Sequence, residues 1–117
     1  MSSQQTRIAL LGDVHANLPA LEAVLLHAKK EGAAAFWNIG DFVGYGAFPD
    51  QVVKQTRKSK FVSIIGNYDL KVLNFPKKDK KWRKKKHPQK WLAFKWAHDN
   101  LSGKSRNSCT RFPNKEL

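Results

Sequence analysis

The 117 residues suffice for one small domain with its own core, but not for two. Twenty-two Lys and Arg against nine Asp and Glu leave a net charge of +13, which favours polyanionic partners without naming one. A hydrophobic fraction of 41%, with four Trp and seven Phe, excludes an intrinsically disordered chain, and the single cysteine, Cys109, excludes an internal disulfide framework or a Cys-rich zinc ribbon.

In chain order, Ile8-Ala9-Leu10-Leu11 is a short apolar run closed by Gly12-Asp13, predicting a strand buried on both faces and then a sharp turn. It is far shorter than a signal-peptide core or a membrane span, and the chain reads as soluble and cytoplasmic. Asn17 is suited to cap a helix with Pro19 in its first turn. Leu18, Leu21, Val24, Leu25 and Ala28 recur along it at helical spacing, His27 falls on the polar side, and Gly32 supplies a left-handed stop. Residues 34–39 form a second apolar run ending in Gly40-Asp41, so strand-helix-strand with a right-handed crossover is expected. Residues 42–49 read as a loop and 50–58 as a short helix. Phe61-Val62-Ser63-Ile64-Ile65 then predicts a third strand, closed by Gly66-Asn67. This alternation implies an α/β fold with a mainly parallel sheet.

Residues 77–90 break the pattern with nine Lys or Arg and one Asp, so most of the positive charge belongs to one basic insertion. Lys84, Lys85 and Lys86 in it are candidate polyanion-binding residues, and Trp82, Trp91 and Trp96 could stack on bases of a nucleic acid. The bland alternative is a solvated insertion. Residues 88–100 read as a helix that turns Trp91 and Trp96 partly inward, with Gly103 past its end. Residues 105–117 show no period and predict no element of their own.

Each predicted strand is followed by glycine and a residue able to ligate metal: Gly12-Asp13-Val14-His15, Gly40-Asp41 and Gly66-Asn67-Tyr68-Asp69. Ligands of open α/β sheets bind beyond the carboxyl ends of the strands, where Asp13, His15, Asp41 and Asn67 would converge from distant positions. Carboxylate, imidazole and amide oxygen make a mixed donor set suited to manganese, iron, zinc or nickel. Asp41, on the middle strand, is the candidate to bridge two ions about 3.5 to 4 Å apart. Asp69 is expected to orient neighbouring backbone or a ligand side chain.

These three blocks, with Asp13-Val14-His15-Ala16-Asn17-Leu18 and Asp41-Phe42-Val43-Gly44-Tyr45-Gly46, resemble the first signature blocks of the calcineurin-like metallophosphoesterases, most of all their small prokaryotic phosphodiesterase branch. The resemblance covers about the first seventy residues. It implies a layered α/β/β/α sandwich in which Asp13, His15 and Asp41 hold one metal and Asp41 and Asn67 reach a second. The implied reaction is attack of a metal-bound hydroxide on a phosphomonoester or phosphodiester, with Asn67 stabilising developing charge. Tyr68 occupies the place of the histidine that commonly acts near the leaving group, and a phenol with an ordinary pKa of about 10 is a weak substitute. The family's later metal-ligating histidines have no counterpart, because only His87 and His98 follow Asn67 and their contexts differ. The expectation is therefore a single, truncated domain over residues 1–117, whose second metal site is incomplete unless self-association or a complementing chain supplies the rest. The rival reading is an inactive half-domain that binds nucleic acid or another polyanion.

Overall fold

The computed structural model describes residues 5–112. Three strands and six helices follow one another as β1 (Ile8–Leu11), α1 (Leu18–Lys30), β2 (Ala35–Asn38), α2 (Pro49–Lys58), β3 (Val62–Ser63), α3 (Asn67–Leu73), α4 (Phe75–Lys85), α5 (Pro88–Asp99) and α6 (Gly103–Thr110). The strands are parallel in the order β1-β2-β3, with Leu11 opposite Asn38 and Asn38 opposite Ser63. All three therefore end at one edge of the sheet, as the alternating pattern requires.

Local signals explain the first half. The Asn17 carboxamide accepts a hydrogen bond from the Ala20 N–H at 3.1 Å, and Gly32, at φ +82°, carries the chain out of α1. Leu21 and Leu25 are buried by α1, and Val52 and Val53 by α2. They join Phe36 of β2, Phe42 and Val43 of the following loop, and Val72, Phe75, Phe94, Ala97, Leu101 and Cys109 of the later helices in one hydrophobic core.

Strand β1 is not buried on both faces. Ala9 and Leu11 pack on the core, whereas Ile8 and Leu10 are exposed, and Leu10 lies in register with Trp37, itself in register with Val62, both exposed. Side chains alternate across a strand, so these residues share one uncovered, apolar sheet face. The apolar run was legible, but a run apolar on both faces does not reveal which face is covered.

The second half departs further from expectation. The third strand shrinks to two residues, although Ile64 still donates to the Asn38 carbonyl at 3.1 Å and Ile65 forms an isolated bridge before Gly66. Residues 77–90 contain most of α4, a short link and the first turn of α5, so the basic segment is largely helical. Trp82 packs in the core cluster, and Trp91 is half-buried with its indole N–H donating to Asp79 at 2.8 Å. Trp96, expected to turn inward, remains exposed. Helix α6 forms where no element was predicted. Ser102 caps it by accepting from the Ser105 N–H at 3.1 Å, and Gly103 opens α6 rather than following α5, which ends at Asp99. The Ser- and Asn-rich sequence of α6 has little helical propensity and no apolar stripe, so tertiary packing of Ser105 and Cys109 decides its state. Residues 113–117 of the last predicted stretch lie outside the described residues. No helix among the described residues is long and apolar enough to cross a membrane.

Candidate metal centre

The chain leaves β1 and β2 through residues with left-handed backbone. Asp13 (φ +56°), His15 (+47°), Ala16 (+58°), Asp41 (+61°) and Tyr45 (+68°) all take this conformation, which costs a non-glycine residue about 1–3 kcal/mol where the surroundings impose it. Backbone bonds lace the two loops together: His15 N–H donates to Asp41 O at 2.9 Å and Ala16 N–H to Phe42 O at 2.5 Å. The loops after β1 and β2 thus form one unit.

Two glycines let the third loop join them. A Cβ on Gly40, whose φ is +105°, would stand 2.6 Å from the Cα of Gly66, and a Cβ on Gly66 would fall on the Asp41 carboxylate. Here backbone meets backbone, and only glycine fits.

The result brings three side chains together. One ligand atom each from Asp13, His15 and Asp41 lies within 4.8 Å of the others. His15 Nε2 stands 3.8 Å from Asp13 Oδ1, while Nδ1 lies 3.3 Å from the Val43 carbonyl. A proton on Nδ1 directed at that carbonyl leaves the Nε2 lone pair facing the carboxylates, the arrangement typical of ligating histidines. Among the described residues no Lys or Arg forms an ion pair with Asp13 or Asp41. Two carboxylates and an imidazole that converge without a compensating cation form a donor set fitted to a divalent ion.

Asn67 and Tyr68 open α3 directly beside this group, and the Tyr68 N–H donates to Asp41 Oδ1 at 2.9 Å. The Asn67 side chain is exposed. The Tyr68 ring stands edge-on to His15, with centroids 5.1 Å apart, and its hydroxyl is 3.1 Å from the hydroxyl of Tyr45. Tyr45 also packs edge-on to His15, at 5.6 Å. The hydrogen bond to Tyr68, with some burial, raises the pKa of Tyr45 above its ordinary value. The tyrosine pair is a feature missed by sequence reasoning. Tyr45 stood in a loop with no period, and only its place between two glycines marked it.

Asp69 is wholly buried and ligates backbone. Its Oδ1 accepts from Phe42 and Val43 N–H at 2.8 and 3.1 Å, and its Oδ2 from Asp41 and Gly66 N–H at 2.8 and 2.9 Å. Burial pushes its carboxyl up to about 6, against the pull of these donors, with the nearby Asp41 charge adding to the rise. One carboxylate therefore ties the Asp41 loop to the start of α3, and its bond to the Gly66 N–H caps that helix from its third residue.

The basic candidates divide. Lys84 and Lys85 are exposed on α4, whereas the half-buried Lys86 turns inward, its ammonium 4.9 Å from the centre of the Trp82 ring and 5.6 Å from that of Phe94.

Comparison with known proteins agrees with this geometry. Residues 6–112 match the family model described as calcineurin-like phosphoesterase. A stretch of 69 residues is 42% identical to an uncharacterised protein of Methanocaldococcus jannaschii, MJ0912, covering 59% of this chain and 28% of that protein. The crystal structure of a metallophosphoesterase from Sphaerobacter thermophilus superposes with a TM-score of 0.74 at 32% identity, over 95% of this chain and 43% of that one. A candidate diadenosine tetraphosphatase shares the fold, with a TM-score of 0.64 at 22% identity over 93% of this chain and 48% of its own. The chain thus spans less than half the length of each of these relatives. With a matching family model over nearly all described residues, and with Asp13, His15 and Asp41 gathered at the strand ends, the chain belongs to the calcineurin-like phosphoesterases.

Proposed function

We propose that this chain contributes the metal-binding half of a phosphoesterase active site that hydrolyses phosphomonoesters or phosphodiesters. The observation that carries the reading is the convergence of Asp13, His15 and Asp41 within 4.8 Å, free of paired cations among the described residues. Asp13, His15 and Asp41 would hold one divalent ion, with Asp41 shared toward a second that Asn67 would help to hold. Manganese, iron, zinc and nickel all suit this oxygen and nitrogen set. Such ions, when bound, acidify water and offset charge on a phosphoryl group.

The residues of the chain account for the remaining work. His15 is oriented by the Val43 carbonyl, so its Nε2 is committed to one direction. Asp69 fixes the backbone of Asp41 and thereby the angle at which its carboxylate is presented. The exposed amide of Asn67 is suited to hydrogen-bond a phosphoryl oxygen. The Tyr68 hydroxyl is tied to that of Tyr45 by a hydrogen bond, and its part is to wall the site beside His15 rather than to deliver a proton. Beside the group runs an open groove of about 470 Å³ lined by Asp13, His15, Tyr45 and Phe48, wide enough for a nucleotide-sized ester.

The test is calorimetric titration of the metal-stripped chain with manganese, alongside hydrolysis of bis(p-nitrophenyl) phosphate, for the chain and for Asp41→Asn. Manganese binding weakened about 100-fold or more by the substitution, with loss of any turnover, supports the reading. Unchanged binding would refute it. Saturable manganese binding without turnover would assign catalysis to the assembly with residues from elsewhere, whether a second copy or another chain.

A second reading rests on α4, whose Lys77, Lys81, Lys84 and Lys85 recur at helical spacing and are all exposed. In it the chain binds nucleic acid or another polyanion through this face and needs no metal. Affinity for an oligonucleotide that falls steeply with salt and survives chelator supports this reading.

A further inference from the structure

Lys71 of α3 and Lys86, just past α4, share the Phe94 ring, and Lys90 of α5 lies close enough to Lys86 for their charges to repel. Lys71 of α3 holds its ammonium 5.4 Å from the centre of the Tyr68 ring and 5.9 Å from that of Phe94. Lys86, just past the end of α4, stands over Trp82 and Phe94, and Lys90 lies in the first turn of α5. All three are half-buried, unlike their exposed neighbours on α4. The carboxylates of the same hairpin are engaged elsewhere, Asp79 with Trp91 and Arg83, and Asp99 with Lys95. Among the described residues, none of the three lysines has a carboxylate partner.

The mutual repulsion registers on Lys86. Burial first, then the charges of Lys71 and Lys90, lower its pKa from the ordinary lysine value. Packing alone would have been served by apolar side chains, since the Lys71 and Lys86 ammoniums stand over Tyr68, Trp82 and Phe94. An anion placed there would relieve the repulsion. The His15 ring centre and the Lys71 ammonium lie 5.1 and 5.4 Å from the centre of the Tyr68 ring, so the two loci are within the span of one substrate molecule.

We infer that Lys71, Lys86 and Lys90 form a second phosphate subsite, and that the substrates of this site are phosphoesters carrying at least one further phosphate beyond the one that reacts. The inference rests on the phosphoesterase reading for the meaning of the first locus, but the subsite itself is a property of the lysines. The aromatic floor confines the Lys71 and Lys86 ammoniums by cation–π contact, so less side-chain freedom is lost on binding than at the exposed lysines of α4.

The probe is inorganic tripolyphosphate, with orthophosphate for comparison, titrated calorimetrically into the 117-residue chain with and without manganese. The chain should bind tripolyphosphate at least about tenfold more tightly than orthophosphate, the equivalent of one charge-assisted hydrogen bond. Combined Lys71→Gln and Lys86→Gln, which keep most of the aliphatic stems, should abolish that preference. Lys29→Gln with Lys30→Gln removes the same charge from the exposed last turn of α1 and should leave it. Equal losses in the two double variants would reduce the effect to the overall field of the chain and overturn the subsite. So would the absence of any preference in the unaltered chain.

Should the Lys71 and Lys86 variants fail to fold, amine acetylation of the unaltered chain, read by peptide mass spectrometry, gives the same decision. Tripolyphosphate should shield Lys71 and Lys86 while Lys29 and Lys30 react as before, and uniform shielding would overturn the inference. Preference that persists in Asp41→Asn and without metal separates the subsite from the fate of the hydrolytic reading.

Discussion

Replacing Asp69 by Asn keeps size and shape but removes half of the acceptors from a site that needs them all. Its two carboxylate oxygens accept four backbone N–H groups, two each. An Asn oxygen can retain one pair, while its NH2 confronts the other two donors. Each orphaned buried amide costs about 1–3 kcal/mol, so the substitution should cost about 4 kcal/mol, a large part of the stability of a domain this size. Urea unfolding followed by Trp fluorescence would read this directly. With a slope of about 1.5 kcal/mol per molar, the midpoint should fall by between about 2 and 3 M. Either pair that is abandoned, Asp41 with Gly66 or Phe42 with Val43, holds the loop that presents the Asp41 carboxylate, so manganese affinity should also drop by about tenfold or more. A loss below about 1 kcal/mol together with unchanged metal affinity would refute the idea that this carboxylate organises the centre.

Three further outcomes follow from particular contacts. Gly66→Ala should fold poorly and abolish manganese binding, because the new Cβ falls on the Asp41 carboxylate; binding at the unaltered affinity would mean the loops can part. Asp50 accepts from the Ser102 N–H at 3.0 Å and pairs with Lys54 at 3.0 Å; although burial opposes, these contacts and the nearby Ser105 hydroxyl depress its pKa well below the ordinary value of 3.8. Its contribution of about 1–2 kcal/mol is therefore complete above pH ~4 and lost as the pH falls toward the lower folded value, so the gap in thermal midpoint between the chain and Asp50→Asn should close on acidification from pH 5 to pH 2. Burial pushes the Cys109 thiol up to about 12, so iodoacetamide at pH 8 should leave the native chain unmodified and react only after unfolding, and prompt labelling would contradict the packing of α6.

How far the sequence could be read follows the reach of its local signals. The loops that carry Asp13, His15 and Asp41 were legible because each strand is short, apolar and ended by glycine and a polar residue, and parallel strands bring such ends together without further information. Asn17 and Gly32 bracketed α1 by chemistry internal to the segment. Helices α3 and α6 were not legible, since Asn67–Leu73 is too short to show a period and Gly103–Thr110 lacks an apolar stripe; both are held by contacts distant in sequence, Asp69 with the Asp41 loop and Cys109 with the core. The lysine cluster was legible only as charge. That Lys86 faces inward while Lys84 and Lys85 face water depends on the helix ending at Lys85, a boundary that composition does not mark.

The five left-handed residues around the centre set the site against the rest of the chain. At Asp13, Ala16 or Tyr45, glycine would adopt the same backbone without strain, so the substitutions that relax the fold lie among the positions that shape the centre. A library of variants screened only for thermal resistance should accumulate glycine at these loops and lose metal affinity as it does so. Aspartate, histidine and tyrosine in such a conformation place the demands of the site against those of stability.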